Sequence, residues 1–228
     1  MGSNFKLKYN VDLVFCIDAT QSMDGILDKV KLNALHFYDD LTAAMQEEGK
    51  HVDSLRARIV AFRDYRADRE PMMVTNFFEL PAEAQDFADC IMSIEPNGGG
   101  DDPEDSLEAL AYAIRSDWRR SQGALNREVI VLWTDAGPHP IGYGSVSPNY
   151  PKGMPKNLEE LSAWWGAPGA PGYMNERGKR ILLYAPEDPT WENIANSWNN
   201  SLFFASEAGQ GLGEHEYNWI IHTIAQSV

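Results

Sequence analysis

The chain has 228 residues, enough to bury a sizeable core, and one domain spanning 1–228 is expected. With Lys+Arg at 19 and Asp+Glu at 34, the formal net charge is -15; this repels phosphate backbones and anionic lipid surfaces and argues against nucleic acid or membrane as a partner. Two cysteines, Cys16 and Cys90, exclude a disulfide framework and a Cys-type zinc site, residues 1–6 carry no apolar signal core, and no stretch approaches the roughly 20 apolar residues that span a bilayer, so a soluble cytoplasmic protein is expected.

Residues 11–17 (VDLVFCI) form a nearly continuous apolar run of β-formers, the pattern of a central parallel strand buried on both faces, and the run ends at Asp18. Met23, Leu27, Val30, Ala34, Phe37, Leu41 and Ala44 recur at spacings of four and three, which predicts one helix over 23–47 closed by Gly49. Residues 55–62 (LRARIVAF) and 72–78 (MMVTNFF) read as a pair of strands, with Pro71 marking a strand start or an edge. A helix opening at Pro81 carries Ala84, Phe87, Cys90 or Ile91, and Ile94 inward and stops before Pro96-Asn97-Gly98-Gly99-Gly100. The next opens at Pro103 with Leu107, Leu110, Ala111, Ile114 and Trp118.

Further strands are expected at 128–134 (EVIVLWT), 180–185 (RILLYA) and 201–205 (SLFFA), with helices over 188–198 and 214–226. Residues 137–178 are rich in Gly and Pro, carry Trp164-Trp165 in a short helix over 158–165, and read as a long insertion on the rim. The alternation of strand and helix implies an α/β fold. It is a Rossmann-like, doubly wound, mostly parallel sheet flanked by helices on both faces, with one antiparallel edge strand.

In such sheets ligands occupy the crevice outside the carboxyl ends of the strands. Three polar clusters fall there: Asp18-Ala19-Thr20-Gln21-Ser22 after the first strand, Gly98-Gly99-Gly100-Asp101-Asp102 after a helix, and Thr134-Asp135 at the end of a later strand. Carboxylates and hydroxyls without His or Cys are hard oxygen donors, which select Mg2+ over zinc. The i, i+2, i+4 spacing of Asp18, Thr20 and Ser22 in a tight loop turns three side chains toward one point.

Asp-x-Thr-x-Ser after the first strand, a Gly-rich loop opening a helix, and Thr-Asp ending a later strand resemble the metal-ion-dependent adhesion site of von Willebrand factor type A domains. The resemblance covers almost the whole chain. It implies a cation, Mg2+ with Mn2+ or Ca2+ as substitutes, held at the top of the sheet by Asp18, Thr20, Ser22, Asp135 and a residue of the glycine loop. It implies a non-enzymatic module that binds a partner protein through that metal. Where the family commonly has Thr in the glycine loop, matching Gly99-Gly100 places Asp101 on the metal and leaves Asp102 to cap the helix opening at Pro103, with Glu104 and Asp105 in its first turn; the other register exchanges the two. The phrase GGGDDPED is similar to intracellular bacterial members of the family, including those associated with α-kinases or with kinase and phosphatase partners.

The enzymatic alternative is a metal-dependent hydrolase or phosphatase using the same Asp cluster. A haloacid-dehalogenase-type phosphatase needs a second Asp two positions after the first, where Thr20 stands. A Ser22-His139-Asp135 hydrolase lacks the G-x-S-x-G setting and places His139 between two prolines, and the glycine loop lacks the Lys-Ser/Thr of a P-loop. Trp118, Trp133, Trp191, Trp198 and Trp219 read as core. Trp164 and Trp165, with Tyr143 and Tyr150, are the expected partner-contacting aromatics, and His36, His51, His215 and His222 read as surface or capping residues.

Overall fold

The computed structural model describes residues 8–100, 102–206 and 217–228. From β1 (Lys8–Asp18) the chain passes through a 3-10 turn into α1 (Asp24–Asn33) and α2 (Phe37–Glu47), then β2 (His51–Phe62), β3 (Met72–Val74), β4 (Phe78–Leu80) and α3 (Ala84–Met92). It continues through α4 (Ser106–Ile114), β5 (Leu125–Trp133), α5 (Leu158–Trp165), and a two-stranded ribbon of β6 (Gly166–Ala167) and β7 (Ala170–Pro171). The last elements are β8 (Lys179–Pro186), α6 (Pro189–Ser197), β9 (Ser201–Ser206) and α7 (Tyr217–Ser227).

The main sheet has the order β3-β2-β1-β5-β8-β9, parallel throughout except where β3 and β4 run antiparallel along the outer side of β2. Helices cover both faces. Successive strand residues point to opposite sides, so Leu13, Phe15 and Ile17 enter one core with Met23, Leu41, Phe87 and Ile221, while Val14 and Cys16 enter the other with Leu110, Trp165 and Trp191. This double burial is why β1 reads as an unbroken apolar run. Its one interior charge, Asp12, is buried but answered: Arg56 donates to both carboxylate oxygens at 2.8 and 2.6 Å, and the Arg119 amide donates at 2.6 Å.

The chain leaves β1 toward β2 on one side and returns to β5 on the other, which makes the ends of β1 and β5 the switch point of the sheet. Asp18 closes β1, and Thr134-Asp135 follow β5 directly. Among the described residues no helix is long and apolar enough to cross a membrane.

Several local expectations need correction. The helix expected over 23–47 is two helices, because the Asn33 side chain donates to the Lys29 carbonyl at 2.8 Å and the next amides close tighter turns, Ala34 to Lys31 and His36 to Asn33. Both halves keep the apolar stripe, and Gly49, at φ 73°, ends the second as expected. The strand expected over 72–78 breaks at Thr75, whose hydroxyl accepts the Ile59 amide at 3.0 Å in place of a backbone carbonyl. Helix α4 begins at Ser106, not at Pro103, so Asp102 is not its cap; it lies exposed in the approach to the helix. Trp219 is 40 % exposed, with its edge against Phe204.

Trp165 is fully buried. It stacks on Trp198 at 5.0 Å and donates its indole N–H to the Asn199 carbonyl at 3.1 Å, so it belongs to the core and not to a contact surface. The end of the 137–178 segment is pinned there too: Lys179, fully buried, donates to the Trp165 and Gly166 carbonyls at 2.8 and 3.0 Å and pairs with Glu176 at 2.7 Å. Removing the ring should cost what a large core truncation costs. Trp165→Ala is expected to lower stability by about 3–5 kcal/mol in urea denaturation, and a loss below about 1 kcal/mol would show the ring to be outside the core.

Candidate functional site

Three loops meet above the carboxyl ends of β1, β2 and β5. Asp18 is buried, and its Oδ1 accepts the Thr20 amide at 2.9 Å and the Thr20 hydroxyl at 2.6 Å, while its Oδ2 accepts the Thr134 hydroxyl at 2.7 Å. Thr20 Oγ1 lies 3.1 Å from Ser22 Oγ, which donates to Asp135 Oδ1 at 3.0 Å. Four of the residues expected at the site, Asp18, Thr20, Ser22 and Asp135, therefore form one continuous oxygen cluster, buried at Asp18 and open to solvent at Ser22. Asp101 lies outside the described residues, as does His215.

The loops are held by backbone bonds. Asn97 N donates to Ala19 O at 3.0 Å and Gln21 N to Gly98 O at 3.3 Å. Arg63, just past β2, donates from its guanidinium to Ala19 O at 2.9 Å, Glu70 O at 3.0 Å and Glu95 O at 2.7 Å.

A carboxylate not singled out as a ligand joins this group. Glu104, expected in the first turn of a helix, instead runs beside Pro138 as a short parallel bridge, its amide donating to Gly137 O at 3.0 Å and its carbonyl accepting from His139 N at 2.8 Å. Its side chain is buried next to the glycine loop: a Cβ on Gly99 would stand 3.1 Å from Glu104 Oε1 and 3.4 Å from Thr20 Cβ. Gly99, at φ 86°, is thus required by both backbone conformation and space. The run of acidic residues after the glycines is the available signal, but a helix boundary three residues too early places Glu104 in the first turn of the helix.

Asp64, Asp105 and His139 make a second buried group, with ligand-type atoms within 4.8 Å of one another, close enough together to hold a metal ion. Several of its atoms are engaged by the protein. Asp105 accepts the Tyr65 amide at 2.6 Å and meets His139 Nδ1 at 3.2 Å, and Asp64 accepts the Arg66 amide at 2.6 Å. The His139 ring also stacks on Tyr143 at 4.0 Å. In the first group Glu104 Oε2 and Asp135 Oδ2 are buried with no hydrogen-bond partner, and among the described residues no Lys or Arg forms an ion pair with Asp18, Glu104 or Asp135. Hard oxygen donors, two orphaned carboxylate atoms and a glycine cradle fit a hard divalent cation.

A serine hydrolase does not fit. Ser22 Oγ bonds Asp135 directly, with no imidazole between them, and His139 Nδ1 meets Asp105.

These features define a class: a doubly wound α/β domain with an oxygen-lined site at its switch point. A family model described as "von Willebrand factor A domain" matches residues 12–140, more than half of the chain, and the chain belongs to that family. It is 24% identical over 149 residues to the alpha-protein kinase vwkA of Dictyostelium discoideum; the match covers 65% of this chain and 22% of that protein. The chain thus spans well under a third of this relative. Among solved structures it is similar to a von Willebrand factor type A protein from Catenulispora acidiphila (TM-score 0.54, 12% identity, 94% of this chain and 42% of that one). It is also similar to the pilus adhesin SpaC from Lactobacillus rhamnosus GG (TM-score 0.55, 12% identity, 98% of this chain and 31% of that one). At such identities the likeness establishes the fold.

Burial raises the Asp18 carboxyl to about 6, opposed by the bonds from Thr20 and Thr134 and assisted by the charge of Asp135. Burial raises Glu104 to about 9, with the charges of Asp18, Asp64, Asp105 and Asp68 adding to it, and burial also raises Asp135. All three bind protons more tightly folded than unfolded, so stability is present while they are protonated and is lost as pH rises above the ordinary carboxylate range. In EDTA the melting temperature is expected to fall as pH climbs through about 6 and on toward about 9, with Glu104→Gln flattening the upper part. A melting temperature that rises over that window would contradict the assignment.

Proposed function

We propose that the chain is a Mg2+-dependent protein-interaction module, with Asp18, Thr20, Ser22 and Asp135 forming a metal-ion-dependent adhesion site and Mn2+ or Ca2+ as substitutes. The observation that carries this reading is the oxygen cluster at the switch point, where clustered acids with an orphaned Asp135 oxygen have no ion pair with a Lys or Arg among the described residues. A bound cation would supply positive charge to this cluster and an electrophilic point for a partner's oxygen atom.

The module is not itself an enzyme. Thr20 occupies the position where an Asp-based phosphatase needs its general acid, and its hydroxyl is committed to Asp18. The relative named as a kinase is matched only over 22% of its length, which supports a role beside kinase chemistry and not in it. The partner is accordingly a protein, kinase- or phosphatase-associated. The unpaired thiols of Cys16 and Cys90 support a reducing compartment such as the cytoplasm.

The contact surface is the rim bearing Tyr143 and Val146. Tyr143 stacks on His139, its ring lies 3.7 Å under the Arg66 guanidinium, and Val146 is 76% exposed. Trp164 is half-buried at the far end of the segment, and Trp165 is core.

Adding Mg2+ or Mn2+ is expected to raise the melting temperature. At 100 times the dissociation constant, linkage alone stabilises by about 2.7 kcal/mol. Asp18→Ala should abolish the shift, and an unchanged melting temperature of the native chain in millimolar metal and in EDTA would sink the reading.

A further inference from the structure

Glu108, on α4, is a fully buried acid with no part in the oxygen cluster. Both of its donors come from one stretch of the 137–178 segment. Gly142 N donates to Oε1 at 2.8 Å, and the Tyr150 hydroxyl donates to the same oxygen at 2.8 Å. Its other oxygen, Oε2, is buried with no hydrogen-bond partner. A carboxylate answered twice on one oxygen and not at all on the other is costly to bury, whereas a neutral carboxyl keeps Oε1 as the acceptor and carries its proton on Oε2.

No ion pair offsets that charge. Among the described residues no Lys or Arg pairs with Glu108, and the arginines along this stretch are directed at carbonyls, Arg66 at Tyr143 O (2.8 Å) and Arg115 at Gly153 O (3.5 Å). The titratable groups that face Glu108 are Asp105 on its own helix, Tyr65 from the turn after β2 and Tyr150 from the segment above. Burial holds both phenols above the ordinary tyrosine range, so neither ionises near neutrality. Burial pushes Glu108 up to about 7, opposed by the Gly142 amide and the Tyr150 hydroxyl and assisted by the charge of Asp105.

The stretch over Glu108 is seated as a lid. Tyr150 meets Tyr65 edge-on with ring centroids 5.0 Å apart, a Cβ on Gly144 would stand 2.5 Å from Tyr65 Cβ, and Asn149 donates to Arg69 O at 3.0 Å. Its outer side is the 3-10 turn Tyr143–Val146, where Val146 is exposed. Lifting it removes both donors of Glu108 and admits water to the carboxyl in one movement.

We propose that Glu108 is a proton-operated latch on the rim: its neutral carboxyl keeps residues 142–150 seated on α4 and on the turn after β2, and its ionisation loosens them. The inference stands apart from the metal-site reading. Because the seated form binds the proton more tightly than the lifted, hydrated form, seating is strongest below the ordinary glutamate range near 4.5 and weakens as pH rises through about 7. The proton released on lifting passes to solvent. Between pH 6 and pH 8 the opening constant of the rim should rise roughly tenfold and then level off.

The test follows the full chain with Mg2+ held constant. Carbon-13 NMR of the glutamate carboxyl carbons gives the midpoint of Glu108 directly, its resonance identified by loss in Glu108→Gln. Amide hydrogen exchange at Ser145, Ser147 and Tyr150, each protected by a bond within the rim, gives the opening constant once intrinsic rates are divided out, with β5 amides as the reference for the whole fold. The native chain is expected to show a midpoint near 7 and the tenfold rise, and Glu108→Gln to abolish the rise. Tyr150→Phe should move the midpoint upward, since it removes a donor that favours the charged form. Glu104→Gln should leave the rim's pH dependence in place. A Glu108 midpoint below about 5 would overturn the latch, as would rim exchange that tracks the β5 amides at every pH or a rise that survives in Glu108→Gln. Should Glu108→Gln not fold, the carbon titration of the native chain against Tyr150→Phe decides the question by itself.

Discussion

The Asp18 carboxylate stands at the end of a strand covered on both faces, and its position there constrains most of what surrounds it. Water cannot reach it, so its oxygens must be answered by the protein, and three donors from Thr20 and Thr134 do so. Those bonds draw the loop after β1 into a tight turn and bring the loop after β5 up against it. Ser22 and Asp135 then meet as a consequence of the same turn. The sheet supplies the platform, and the need to satisfy one buried acid shapes the crevice above it.

Arg63 extends this logic outward. It sits just beyond β2 and spends its guanidinium on three backbone carbonyls drawn from three separate stretches of chain. A planar fork of donors suits this better than a point charge would. The Asp64, Asp105 and His139 group serves the adjoining side, joining the turn at 64–68, the start of α4 and the segment after β5. Between these two braces the glycine loop and Glu104 have little freedom. Preorganisation of this kind lets repelling acids stay close together, because the energy that holds them comes from packing and hydrogen bonds elsewhere.

Much of the architecture was legible in the sequence because it depends on period and on burial. An apolar run without polar interruption must be covered on both sides, and the run at 11–17 announced a central parallel strand. Asp18, Thr20, Ser22 and Asp135 were legible because each lies at a strand end, where the topology itself collects polar residues. What escaped depended on local competition. Asn33 interrupts a stripe that is otherwise continuous, and Thr75 replaces a backbone acceptor by a hydroxyl; neither alters hydrophobic periodicity. Glu104 escaped because Pro103 and two flanking acids mimic a helix start, while the true start is set by the bridge to Pro138. Trp165 escaped because a Gly- and Pro-rich neighbourhood suggests the surface, whereas its ring fills the space beneath Trp198.

The buried Lys179 has one more consequence. Glu104 clasps residues 137 and 139 at one end and Lys179 seizes the Trp165 and Gly166 carbonyls at the other, and between them Tyr150 donates to the buried Glu108 at 2.8 Å and Asn149 to the Arg69 carbonyl at 3.0 Å. Substitution or shortening at 149–150 therefore strips a partner from the buried Glu108, whereas Val146, 76 % exposed, stands clear of both. Diversification of the rim is thus directed to its exposed positions and away from the tyrosine that answers Glu108.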